Sequence, residues 1–203
     1  MFFSVKSTYS HLCNLEASDP NKRIWKPKIP LKIKTFVWLA QQGAILTRDN
    51  LMKRNWHGDG SCSLCQEQET AMHLFFTCPV AKYIWSLVAY VLEANCRHGS
   101  FDQFWLRTKA FLPKFQHFHM VGLAAICWTL WKSRNVVCFE KKRVNSPTEL
   151  VCSALAFIFF WAGLQKADDR EQLETGAAAL KDATVHFHHK GSAPGDAGVV
   201  LIQ

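Results

Sequence analysis

Residues 62–78 read CSLCQEQETAMHLFFTC, a short stretch that contains three cysteines and one histidine. The spacing is Cys-x2-Cys-x7-His-x4-Cys. A Cys-x2-Cys turn brings two thiolates to one ion, and a His and a Cys from the following segment complete the tetrahedron of a closed structural zinc site. We therefore predict one structural Zn²⁺, with no open position for catalytic water, bound by Cys62, Cys65, His73 and Cys78.

The residues around this motif suit a small metal-bound loop. Leu74, Phe75 and Phe76 provide apolar cover for the site. Glu67 and Glu69 are expected to lie in a solvated part of the loop and not to bind metal. His57 is the weaker candidate ligand, because it lies apart from the Cys-x2-Cys turn.

The other cysteines carry no metal-binding spacing. No signal peptide precedes them, so a reducing compartment is predicted, and we expect an intracellular protein of the nucleus or cytoplasm. A mitochondrial presequence is the alternative for the first residues, although Lys6 is the only basic residue there. The remaining cysteines are expected to be buried free thiols: Cys13, Cys96, Cys127, Cys138 and Cys152.

Apolar periodicity predicts a mostly α-helical fold. After Pro30, one helical face carries Ile33, Phe36, Val37 and Ala40, and Gly43 ends this helix. A short amphipathic helix is expected near the start, on Phe2, Val5, Tyr9 and Leu12; a second short helix follows Thr47, and another begins at Pro79 and runs to Leu92. Two long helices are predicted around residues 121–139 and 148–164.

The expected architecture is a set of helical hairpins flanking a small irregular zinc-bound loop. We divide the chain into a helical zinc-binding module at 1–95 with its core at 24–85, a helical extension at 96–165, and a charged, poorly packed tail at 166–203. Within the tail, helix is allowed from Asp168 to Leu180. The most apolar run, 150–164, is shorter than the roughly 20 residues that span a bilayer, so no membrane-spanning segment is expected.

The formal charge of +8 lies entirely between Lys22 and His57, a segment that contains nine basic residues and one acidic residue. Such a basic segment beside a zinc loop suits a nucleic-acid backbone. Trp25, Trp38 and Trp56 are either stacking surfaces for bases or core residues. The candidate nucleic-acid contacts are Lys28, Lys32, Lys34, Arg48, Lys53 and Arg54.

The segment from Ile24 to Trp85 resembles the zinc-binding domain at the carboxyl side of plant non-LTR retrotransposon reverse transcriptases. The matching stretches are IWKPKIPLKIKTFVW, LTRDNLMKRNW, CSLC and ETAMHLFFTCPVAKYIW, and the resemblance extends to FFSVKSTY and to WTLWKSRNVVCFE. It implies a retroelement origin and the same four metal ligands. It does not imply polymerase activity, which requires a palm domain with an aspartate pair for two metals.

No enzymatic activity and no small-molecule substrate are therefore expected. Asp168 and Asp169 are predicted to lie on a solvated helix surface, and a metal site on His186, His188 and His189 is not favoured. The leading hypothesis is a zinc-binding accessory module that binds RNA or DNA. The alternative is a co-opted protein-interaction or regulatory factor, membrane-associated or toxic, in which zinc only stabilises the fold.

Overall fold

The computed structural model of the protein describes residues 22–94, 98–111, 116–140 and 146–191. These residues are predominantly helical, and the described part contains no strand beyond a single bridge between Ser61 and Gln68. The helices are α1 Lys22–Trp25, α2 Leu31–Gln41, α3 Arg48–Met52, α4 Pro79–Val91, α5 Phe101–Phe111, α6 Gln116–Glu140, α7 Pro147–Ala162 and α8 Ala167–Gly191. A π-helical turn, His73–Thr77, precedes α4.

The structure confirms the predicted helix after Pro30. The four residues of its apolar face are the buried residues of α2. The helix ends in a Schellman motif, in which the Ala44 amide donates to the Leu39 carbonyl at 2.8 Å and the Gly43 amide donates to the Ala40 carbonyl at 3.0 Å. Gly43 adopts a φ of 64°, a conformation that glycine accepts without strain.

Helix α6 is the central element of the core. It packs against α2, the π-helical turn, α5 and α7, while α8 packs against α7 and α4. The buried side chains form one cluster that extends from Ile24 to Leu180. The zinc motif therefore sits on a continuous helical core.

The predicted long helices are present, and α7 starts with a capping box. The Ser146 side chain accepts a hydrogen bond from the Glu149 amide, and the Glu149 carboxylate accepts one from the Ser146 amide. None of the helices in the described ranges is long and apolar enough to cross a membrane.

The C-terminal segment differs from the prediction. Residues 167–191 form one helix, α8, whose Leu173, Ala177 and Leu180 are buried against α4 and α7. The expectation of a poorly packed tail therefore does not describe this part, although the allowance for helix from Asp168 to Leu180 is confirmed. Residues 192–203 and the helix predicted near Phe2 lie outside the described residues, and the division into three segments stays a prediction.

Candidate metal centre

The structure brings the four predicted ligands together. The three thiol sulfurs and one ring nitrogen of the histidine lie within 4.8 Å of one another. Cys65 Sγ is 3.0 Å from His73 Nε2. All four side chains are buried or half-buried: Cys62, Cys65, His73 and Cys78.

A tight turn presents the first two thiols. The Gln66 amide donates to the Cys62 carbonyl at 2.8 Å, and the Cys62 amide donates to the Glu67 carbonyl at 2.5 Å. Gln66 closes the turn with a φ of 69°. The Leu64 amide points at Cys62 Sγ from 3.4 Å, as a donor to a thiolate would. Backbone geometry thus fixes the direction of this sulfur.

The π-helical turn presents the other two ligands. In an α-helix, residues five apart point about 140° away from each other, since each residue turns by 100°. The wider turn instead hydrogen-bonds the Cys78 amide to the His73 carbonyl at 2.7 Å, so both side chains reach the same site. Cys78 then caps α4, with Pro79 in its first turn.

The thiols of the cluster alter one another's pKa values. A hydrogen bond with Cys78 lowers the pKa of Cys62 to about 5, helped by the Leu64 amide. The same bond and burial raise the pKa of Cys78, and burial raises the pKa of Cys65. A bound metal dication would displace the thiol protons, because the thiolate is the form that binds metal.

The donor set fits zinc. A tetrahedral ion with Zn–S bonds of about 2.3 Å needs sulfurs about 3.8 Å apart, which is compatible with the observed spread. His73 Nδ1 lies 3.4 Å from Glu67 Oε2 and 3.4 Å from Thr77 Oγ1, so partners for its second nitrogen are at hand. Such partners orient a histidine ligand.

Glu69 corrects the expectation of a solvated loop. Its side chain is fully buried and receives the Arg134 guanidinium, with Nη2 2.7 Å from Oε1 and Nε 3.1 Å from both carboxylate oxygens. The Arg48 amide also donates to it at 2.8 Å. Arg134 is 2% exposed, so a buried ion pair connects the metal loop to α6. Glu67 is exposed, as expected.

One face of α6 supports the whole motif. Trp128 and Trp131 pack against Phe36 of α2, with ring centroids 5.0 and 5.8 Å apart. One turn after Trp131, Arg134 pairs with Glu69. One turn further, Cys138 Sγ lies 3.6 Å from Ser63 Oγ, which is inside the Cys-x2-Cys turn. The WTLWKSRNVVCFE stretch therefore belongs to the metal centre structurally, although it is distant in sequence.

The predicted nucleic-acid contacts fall into two groups. Lys28, Lys32, Lys53 and Arg54 are exposed. Lys34 is half-buried and donates to the Trp25 carbonyl at 2.8 Å, and burial lowers its pKa. The chain before Pro30 folds back over Lys34, so this candidate contact is only partly open to solvent.

Arg48 also serves the fold. Its Nη1 donates to the Asp59 carbonyl at 2.8 Å and pairs with the Asp59 carboxylate at 3.2 Å, and its Nη2 lies 3.6 Å from Cys138 Sγ. Trp25 and Trp38 are half-buried against the core, whereas Trp56 is 40% exposed. The core interpretation thus describes two of the three tryptophans.

The remaining candidates lie apart from the cluster. His57 is exposed, and no other group of at least three metal-binding side chains occurs in the described ranges. His186 and His188 are exposed, and the side chain of His189 lies outside the description. Cys127 is buried as expected, but Cys138 is half-buried and Cys152 exposed; all three are free thiols. Cys13 and Cys96 lie outside the described residues.

Taken together, the geometry defines a helical module with a Cys₃His metal site. Residues 3–85 match the family described as zinc-binding in reverse transcriptase. A protein of Arabidopsis thaliana named as a putative ribonuclease H protein is 32% identical over 89 residues, which make up 41% of this chain. The aligned part spans only 14% of that relative. No solved structure matches the chain.

These findings confirm the resemblance drawn from the sequence. Residues 3–85 are similar to the zinc-binding domain of reverse transcriptases, which is consistent with a retroelement origin. The match ends at Trp85, before α6. The helix that carries Arg134 and Trp131 therefore lies outside the matched segment while supporting its metal site.

Proposed function

We propose that this chain is a zinc-stabilised accessory module that binds one Zn²⁺ and contacts the phosphate backbone of single-stranded nucleic acid. The observation that carries the proposal is the convergence of three sulfurs and one imidazole within 4.8 Å. Four protein ligands leave the ion no open position, so zinc contributes to folding and not to chemistry. The location of the protein in the nucleus or cytoplasm stays a prediction.

The nucleic-acid part rests on the exposed cations. The Lys32 ammonium lies 5.3 Å from the ring centre of Trp128, and Arg48, which leads into the helix before Lys53, touches Cys138. Trp128 and Cys138 are ten residues apart on α6, which corresponds to about 15 Å along the helix. The segment that carries the exposed cations therefore contacts α6 at two points about 15 Å apart along the helix, a spacing over which several phosphates can be met.

A loop next to the metal site adds an aromatic surface. Trp56 lies over Gly58 so closely that a Cβ on Gly58 would sit inside the indole ring. The absence of a side chain at Gly58 thus leaves room for the ring, while 40% of Trp56 stays exposed. Exposed aromatic rings stack with bases regardless of sequence, and each stacked base contributes about 1–3 kcal/mol.

Metal content is tested on protein purified without chelator. We expect one zinc per chain by elemental analysis, with Cys152→Ser as a control that keeps it. Well-folded protein that contains no zinc, or takes up none from a zinc buffer, contradicts this part of the proposal.

Nucleic-acid binding is tested with labelled single-stranded RNA and DNA of about 12 nucleotides, within common site sizes. If the four exposed cations each neutralise one phosphate, the log–log salt slope should be about −2.8. Replacing Lys28, Lys32, Lys53 and Arg54 by Glu should abolish binding while zinc content stays at one.

The matched control reverses four exposed lysines elsewhere, so the net charge changes equally: Lys82, Lys109, Lys166 and Lys181. This control should keep most of the affinity. Equal loss in both variants, or wild-type binding that does not depend on salt, contradicts the backbone contact.

We further propose that the chain has no polymerase or ribonuclease activity of its own. Asp168 and Asp169 lie in the first turn of α8, on one helix and away from the cysteine cluster. Primer extension and RNA hydrolysis assays check this, and activity that follows the protein peak through purification contradicts it.

The second candidate is a protein-interaction or regulatory factor. It is favoured by large apolar side chains on the outer side of α7 and just after it, where Phe159, Phe160 and Leu164 are exposed. If the chain binds zinc but no nucleic acid, replacing Phe160 by Ser should reduce its association with a partner protein or with vesicles.

A further inference from the structure

A cavity of about 520 Å³ lies between five helices, away from the metal centre. Its wall is almost entirely apolar and includes Trp85 of α4, Phe104 of α5, Leu123 of α6, Ile158 of α7 and Leu180 of α8. All five of these side chains are buried. Pockets of about 300–1,000 Å³ with apolar walls and few polar groups are typical of small-molecule sites.

One buried polar atom is left without a partner in this wall. His98 is 6% exposed, and its Nδ1 has no hydrogen-bond partner in the described part of the chain. The ring is fixed between Trp85 and Phe104, whose centroids are 5.5 and 5.1 Å away. Burial, and then the charge of Arg107, lower the pKa of His98 to about 4, so the imidazole is neutral at physiological pH. An unsatisfied buried polar atom is unfavourable, and a ligand that hydrogen-bonds to it would remove this cost.

Two glycines in the cavity wall present no side chain to the cavity. Gly122 lies within α6 and Gly176 within α8, and both line the cavity. A Cβ added at either glycine would meet nothing within 4 Å. Glycine inside a helix is less favourable than alanine, so neither position is explained by helix stability or by crowding.

We propose that this cavity binds a neutral, mainly apolar small molecule with one hydroxyl group, which hydrogen-bonds to His98 Nδ1. A hydroxyl both donates and accepts, so it satisfies either tautomer of the neutral imidazole, whereas a carboxylate can only accept. Among the described residues of the wall, one cation, Arg107, and one anion, Glu171, balance each other, so this part of the wall offers no net charge for an ionic ligand. The exposed Glu171, Gln172 and Thr175 mark its entrance at the start of α8.

This site is independent of the zinc and nucleic-acid proposals, and it concerns a bound ligand, whereas the sequence led us to expect no small-molecule substrate. Titration of the full zinc-loaded chain with 1-naphthol and with naphthalene, followed by fluorescence, tests it. Both probes should bind saturably, and 1-naphthol should bind about three- to tenfold more tightly, as one net hydrogen bond predicts. No saturable binding of either probe overturns the proposal.

Variants distinguish the contribution of the cavity space to probe binding from that of His98. Gly122→Leu fills the space and should abolish binding of both probes, while Gly122→Ala controls for the change in helix propensity and should retain part of it. His98→Phe keeps the ring but removes the nitrogen, so the preference for 1-naphthol should disappear. If Gly122→Leu does not fold, Gly176→Leu fills the cavity from α8. A preference that survives in His98→Phe, or binding that survives both leucines, overturns the assignment.

Discussion

The metal loop at residues 58–78 and the helices that follow it are held together by different forces. The loop contains one bridge and the helical turn at its end. It is fixed by four metal-binding side chains, by a buried carboxylate–guanidinium pair and by the buried Leu74, Phe75 and Phe76 of its last turn. Helices α4, α7 and α8 are instead joined by apolar side chains such as Ile84, Leu155 and Leu173. The first region therefore depends on charge and coordination in addition to apolar burial, and the second mainly on apolar burial.

Loss of the metal should produce the largest difference in local stability between the two regions. Cys78→Ser removes one ligand, and we expect zinc affinity to fall by more than roughly 100-fold, the upper range for losing only a supporting hydrogen bond. Because binding energy is folding energy at such sites, amide exchange should accelerate in residues 58–78. Exchange in α7 and α8 should change far less.

The matched variant for this experiment is Cys152→Ser, which changes an exposed thiol outside the cluster. It should leave zinc content and exchange unchanged. Uniform acceleration across α7 and α8 in Cys78→Ser would show that the helices depend on the metal as much as the loop does.

The buried ion pair should have the next largest effect. Arg134→Met leaves Glu69 charged and buried without its partner, and breaking such a pair costs about 3–5 kcal/mol. The free energy of unfolding from urea denaturation measures this. Adding Glu69→Leu should recover part of the loss, although the Arg48 amide then loses its acceptor.

Arg170→Ala is the control for this pair. Arg170 and Glu174 are 2.7 Å apart but partly solvated, and exposed pairs contribute about 0–1 kcal/mol. A similar loss of stability in Arg134→Met and Arg170→Ala would contradict the structural role assigned to the buried pair.

The same contrast explains which features the sequence could predict. The apolar face of α2 and the Cys-x2-Cys turn depend on neighbours within a few residues, and both were predicted correctly. The burial of Glu69 depends on Arg134, 65 residues later, and no local pattern joins them. From sequence alone, a glutamate in a polar loop is indistinguishable from a solvated one.

Two missed features did carry local signals. Helix α8 buries Leu173, Ala177 and Leu180, which lie four and three residues apart, but small alanines make this stripe weak among charged residues. The capping box of α7 is written in Ser146 and Glu149. The cavity could not be predicted from the sequence, because its wall combines residues from five helices. No single segment determines how these helices pack.

The smallest expected effect concerns the start of α7, where only local hydrogen bonds are involved. Ser146→Ala removes the acceptor for the Glu149 amide, which lies 3.2 Å from Ser146 Oγ, and loss of such a cap costs about 1 kcal/mol. The midpoint of urea unfolding should fall by a corresponding small amount, while zinc content stays the same. Ser153→Ala is the matched control in the same helix, since its hydroxyl donates to the Glu149 carbonyl, a contact that adds little or slightly weakens a helix. If Ser153→Ala is as destabilising as Ser146→Ala, the capping box does not stabilise α7. If Ser146→Ala instead lowers zinc content, the helical core and the metal loop are coupled more tightly than the contrast between them predicts.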